Sequence, residues 1–222
     1  MKKFGLAVFG LAMLVGVFSA MNCSFGNVSG VQGSGTAKNE KREVSGFKQV
    51  AAGGAITLEI VAQKDFSVEV EADDNLLALI KTEVSGDTLK ISSEERISPK
   101  TKILVKISMP ELNSLDVSGA SGATVSNVKA DLLKLEASGA SKIKVDGQAN
   151  SLESNASGAS GIDAEGLKVE NADVEASGAS NTTVSATNEL KAESSGASTV
   201  YYTGEPKSVS PKTSGASSVK KK

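Results

Sequence analysis

The 222 residues carry 24 Lys+Arg against 26 Asp+Glu, a formal net charge of −2, with no histidine, no tryptophan and a single cysteine. Near-neutral charge and only two arginines, Arg42 and Arg96, leave no electrostatic footprint for nucleic acid. The lack of histidine excludes triad chemistry with an imidazole base and removes the best zinc and copper ligands, and 4% aromatics give little material for a conventional core.

In chain order, Lys2 and Lys3 precede an apolar run from Phe4 to Ala20, broken only by glycines and a serine. This reads as a secretory signal peptide over 1–22; the run is short and glycine-rich for a bilayer span. Cys23 stands where such a segment ends, behind the small residues Ser19 and Ala20. That position points to a lipoprotein site, with a diacylglyceryl group on the thiol and a membrane partner reached through the lipid. Asn22 departs from the small residue usual before such a cysteine, and cleavage after Ala20 is the alternative. Either way the chain is expected to be exported, and with a lipid to sit in the cell envelope on the outer membrane. Residues 23–42 are small, polar and aperiodic, and are expected to form a flexible tether.

From 43 to 112 the residues alternate with a period of two. Phe47 and Val50, then Ile56, Leu58 and Ile60, frame a loop at Ala51-Ala52-Gly53-Gly54. Phe66, Val68 and Val70 follow, then Leu89 with Ile91, and Ile103 with Val105 and Ile107. These are half-buried strands, read as irregular N-terminal coils that cap a stack. Asn75 to Ile80 is compatible with one helical turn, but its neighbours favour a short strand-turn link.

Beyond 113 a repeat dominates. Ser-Gly-Ala-Ser begins at Ser118, Ser138, Ser157, Ser177, Ser195 and Ser214, in steps of 20, 19, 20, 18 and 19 residues. The flanks alternate again: Leu133, Leu135 and Ala137 precede one copy, Ile143 and Val145 follow it, and Lys134, Glu136, Lys142 and Lys144 stand between. Strand, turn and strand at this period define an all-β fold, a parallel β-helix or β-solenoid with about 19–20 residues per coil. Unbroken parity from Ala137 places Gly139 and Ser141 inward. Gly119, Gly139, Gly158, Gly178, Gly196 and Gly215 then form one structural column along the axis. A corner ladder explains this column better than a serine track for binding or modification. A body over 43–219 would contain roughly nine coils and be about 43 Å long. Pro206, Pro211 and the basic tail 220–222 would blunt its open edge.

These residues resemble a known family. The carriers are Phe47 and Val50 with Ile56-Thr57-Leu58, Asp74-Asn75-Leu76-Leu77, Thr88-Leu89-Lys90-Ile91 and Ile107-Ser108-Met109-Pro110-Glu111-Leu112. The serial Ser-Gly-Ala-Ser coils and the closing Tyr202-Thr203-Gly204-Glu205-Pro206 complete the set. Together they are similar to the auto-transporter adhesin family with the head GIN domain, over about 44–219. The resemblance implies a right-handed parallel β-helix in a bacterial cell-envelope protein, with no established molecular function.

Catalytic and metal residues are expected to be absent, and no cofactor is expected. The Gly-Gly-x-Gly-x-Asp calcium nonapeptide and phosphate-cradling glycine loops do not occur. Asp163, Glu165, Glu170, Asp173 and Glu175 are the only carboxylate concentration that could serve a polysaccharide-processing site, and most lie at outward parity. Three readings remain. The first is an adhesin-like or scaffold rod with a glycan or protein ligand at the cell surface. The others are a periplasm-facing structural lipoprotein and, last, a polysaccharide-processing enzyme. No ligand-binding residues are singled out; Tyr201 is the one outward aromatic.

Overall fold

The computed structural model describes residues 30–222. Signal segment, Cys23 and the start of the expected tether lie outside the described residues. The strands are β1 (Val31–Gln32), β2 (Ala37–Arg42), β3 (Gln49–Ala52), β4 (Ile56–Ala62), β5 (Ser67–Asp73), β6 (Ile80–Ser85), β7 (Thr88–Ser93), β8 (Ile97–Ser98) and β9 (Ile103–Met109). They continue as β10 (Ser114–Val117), β11 (Gly122–Ala137), β12 (Lys142–Ala156), β13 (Gly161–Ala176), β14 (Asn181–Ser194), β15 (Thr199–Thr203), β16 (Ser208–Thr213) and β17 (Ser218–Lys221).

β10 to β17 stack as parallel rungs of a solenoid of about five turns. Each of the long strands β11 to β13 wraps three sides of one coil. In β12, Lys142 to Val145 form the side after the Ser-Gly-Ala-Ser turn, Gly147 to Ala149 a short third side, and Ser151 to Ala156 the side that leads into the next turn. Register shifts at Val125/Val128, Lys144/Asp146 and Ala164/Lys168 mark the corner between the second and third sides. Inward positions are apolar or small and stack by register, as in the columns Leu115–Leu135–Ser154–Val174–Ala192 and Ala123–Ile143–Ile162–Thr182–Val200. Each fully buried Leu or Ile contributes about 1.5–3 kcal/mol of transfer free energy, so aliphatic columns replace the missing rings. The aromatic pair Phe47–Phe66, with centroids 5.0 Å apart, sits at the N-terminal end. These columns fill the lumen, which leaves the outer faces for any ligand.

The N-terminal part differs from a simple run of coils. β3 and β4 form one level, pairing in parallel with β10 and β11 above and with β7 and β9 below. β6 then pairs antiparallel with β7, β5 with β9, and β2 with β5. The chain lays down β3–β4, builds the closed end beneath it, and returns above it at β10. The count of nine coils is therefore corrected: a period-two pattern identifies a half-buried strand but not whether its partner runs parallel or antiparallel. The expected strand-turn link at 75–80 contains one turn of 3-10 helix, Leu77–Leu79.

Residues 30–42, expected as tether, are strapped to this end. Polarity without period suggested a free segment, but the hydrogen bonds come from backbone and short side chains. β1 pairs with β8, and β2 runs the length of β5. Asp73 is fully buried and its carboxylate accepts from the backbone N–H groups of Gly35 (2.6 Å), Lys100 (2.9 Å) and Thr101 (3.1 Å). Asp74 accepts from the Ser34 hydroxyl at 2.5 Å, and Asn75 accepts from Ser34 N–H and donates to Gln32 O, each at 2.8 Å. Burial pushes the Asp73 carboxyl up, but the donors from Thr101, Gly35 and Lys100 outweigh it and hold the group below its ordinary value. At the other end β16 and β17 form the last rung. Pro211 lies opposite Ala192, and Lys220 and Lys221, expected in the tail, belong to β17.

Candidate functional site

The Ser-Gly-Ala-Ser copies form a turn between the first and second sides. Its glycines, Gly119, Gly139, Gly158, Gly178, Gly196 and Gly215, have φ between 74° and 76°. A Cβ on any of them would lie 2.5–2.9 Å from the carbonyl oxygen of the glycine one coil below. Positive φ and close approach both demand glycine. Placing Gly139 inward is corrected: it is exposed at the corner, because the chain turns there rather than continuing its pleat. Ala159 N–H donates to Gly139 O at 2.7 Å, and the contact recurs from Ala120 to Ala216.

The last serine of each copy points inward. Ser160 donates its hydroxyl to Ala137 O at 3.0 Å, and Ser157 N–H donates to the same oxygen at 2.9 Å. Ser141, Ser180, Ser198 and Ser217 repeat this on Val117, Ala156, Ala176 and Ser194. Both lone pairs of one corner carbonyl per coil are thereby used. Gly53-Gly54-Ala55-Ile56 sits in register beneath the first copy, with Ala120 N–H donating to Gly54 O at 2.7 Å. It is a degenerate copy that reads as a loop because both serines are replaced. The column is a corner ladder in which the glycine carbonyls and the hydroxyls of Ser141, Ser160, Ser180, Ser198 and Ser217 bond to the chain itself.

The outer surface holds the better candidate. A groove of about 770 Å³ runs along the third side, across β11, β12, β13 and the start of β14's corner, to Gln63 and Pro110. Its outward positions form two columns, Lys129–Gln148–Lys168 and Asp131–Asn150–Glu170. Asn150 donates to Asp131 at 2.9 Å. Among the described residues, Lys129 and Lys168 make no ion pair. Among the described residues, Gln63 and Asn127 are the non-glycine residues with positive φ (63° and 60°); Gln63 lines the end of this groove, and Asn127 lies in the Val125/Val128 corner, two residues before Lys129. Gln63 is held by its amide donating to Pro110 O at 3.0 Å, and Asn127 by its N–H donating to Asp146 at 3.1 Å. Strained backbone that is held in place this way concentrates at functional surfaces.

The groove was not anticipated from sequence, although the spacing of Lys129, Gln148 and Lys168 (19 and 20 residues) follows the coil period and was visible. The five carboxylates considered for catalysis are not brought together. Asp163 lies on the second side, Glu165 at the corner after it, Glu170 on the third, and Asp173 and Glu175 on the first, all exposed. Among the described residues, no group of three or more His, Cys, Asp or Glu side chains could hold a metal ion. Tyr201 is half-buried on the second side, in register with Thr183 and Lys220.

Fold and surface together define a stacked all-β solenoid with a filled lumen. The family model described as "Putative auto-transporter adhesin, head GIN domain" matches residues 46–206, and the chain belongs to that family. No curated protein matches the chain. Among solved structures, a putative adhesin from Bacteroides fragilis superposes with a TM-score of 0.73 at 21% identity, covering 87% of this chain and 100% of that one. A putative adhesin from Parabacteroides distasonis gives 0.54 at 23% identity over 86% and 99%. A structure described as a putative lipid binding protein from the same species gives 0.52 at 20% identity over 86% and 99%. At these identities the likeness concerns the fold. The family and these two adhesin neighbours are named as adhesins, not enzymes.

Proposed function

We propose that the chain is a non-catalytic cell-envelope solenoid, anchored through a lipid on Cys23, that acts as an adhesin-like or scaffold rod. In this reading it engages a glycan or protein ligand at the cell surface through the third-side groove. The observation that carries the reading is that groove, where charged and amide side chains stand at fixed rung spacing on a frame with a packed interior. Membership of an adhesin-named family supports it. A lipid ligand, as one neighbour's name suggests for that protein, would have to lie on the outside, since aliphatic columns occupy the lumen.

The test is protease accessibility of a version tagged after Lys222 on intact cells, with the mass of the mature N-terminus read from the same preparation. Cleavage on intact cells together with a lipidated Cys23 is the expected result. Protection until the envelope is opened would replace the adhesin reading with a periplasm-facing structural role, and release of unsaturated sugars from a polysaccharide would indicate an enzyme.

A further inference from the structure

Each outward column of the groove alternates in charge along the axis. The Lys129 rung carries one ammonium and one carboxylate (Asp131), the Gln148 rung carries two amides (with Asn150), and the Lys168 rung carries one ammonium and one carboxylate again (Glu170). Successive rungs are about 4.8 Å apart, so the charged rungs recur at about 10 Å, the length of an extended two-sugar repeat rather than of one sugar. The spacing is rigid because main-chain hydrogen bonds and inward columns on both flanks fix the rungs.

We propose that this groove binds an extended polysaccharide whose two-sugar repeat bears one carboxylate on alternate sugars; this rests on the ligand-binding reading above. Lys129 and Lys168 take the carboxylates of successive repeats through charge-assisted hydrogen bonds. Gln148 meets the uncharged sugar between them, with an amide that both donates and accepts. Asp131 and Glu170 accept hydroxyl groups on the opposite margin. Their charge disfavours a ligand with a carboxylate on every sugar, because an anion opposite the Gln148 rung would find no cation and would face acids on both neighbouring rungs.

The experiment measures calorimetric binding of the full exported chain to three series of increasing length. These are hyaluronan oligosaccharides (a carboxylate on alternate sugars), oligomannuronates (a carboxylate on each) and chitin oligosaccharides (none). The expected result is a preference for the hyaluronan series of about tenfold or more, rising with each added repeat until the groove is filled, and weakening with salt. The K129Q/K168Q double variant should lose at least about tenfold in that affinity with an unchanged melting temperature, whereas K134Q/K191Q on the first side should lose nothing. Binding of none of the series, equal binding of all three, or an unaffected K129Q/K168Q variant would overturn the proposal. These failures are separate from failure of the adhesin reading, which is decided by exposure on intact cells whatever the sugar preference.

Discussion

At the residue scale the fold depends on a few groups that cannot be exchanged. Gly158 combines a φ of 75° with a hypothetical Cβ 2.7 Å from Gly139 O. Gly158→Ala should therefore cost at least about 2 kcal/mol, the left-handed penalty plus a displaced coil, measured by urea unfolding. Ser160→Ala leaves the Ala137 carbonyl with the Ser157 N–H bond and should cost about 1 kcal/mol. Thr182 gives the opposite sign. It is fully buried in an aliphatic column between Ile162 and Val200, and its hydroxyl has no protein partner. Thr182→Val keeps the shape and removes the unpaired hydroxyl, so it should raise stability by about 1 kcal/mol in the same assay.

At the element scale the two ends of the stack are unlike. The N-terminal end is closed by antiparallel strands and clamped through Asp73, whereas the C-terminal end is an open rung with Pro211 and lysines on its edge. Hydrogen exchange should be fastest in β16 and β17 and slowest in β12 and β13, where parallel neighbours cover both edges. The Asp73 carboxyl is depressed in the fold and near 3.8 when unfolded, so its stabilising contribution is complete above that value. It fades as pH falls below 3.8 through the lower folded value. Asp73→Asn should lower the melting temperature at neutral pH and flatten the loss of stability with acid below 3.8; an unchanged acid profile would remove Asp73 from the clamp. The repeat coils were legible because alternation and a constant period both report on parallel stacking. The N-terminal topology was not, since alternation at Val68 or Leu89 is the same beside an antiparallel partner as beside a parallel one. The strap at 30–42 was hidden because its order comes from Asp73, Asp74 and Asn75, polar residues forty positions away that leave no hydrophobic pattern.

At the scale of the whole molecule, packing follows neighbours along one axis, and the outer faces are free to vary without disturbing it. The corner motif is the most conspicuous feature of the sequence, yet its glycine carbonyls and its last serines serve stacking. The groove columns are inconspicuous, because six surface side chains at the coil period look like ordinary solvated positions until the register aligns them. Whether the rod is anchored and meets a ligand outside the cell is decided by protease treatment of intact cells carrying the chain tagged after Lys222, with the mature terminus weighed. An anchored surface rod should lose the tag without lysis and carry a lipid mass on Cys23. A tag that survives until the envelope is opened, or a terminus that begins after Ala20 with an unmodified thiol, would contradict it.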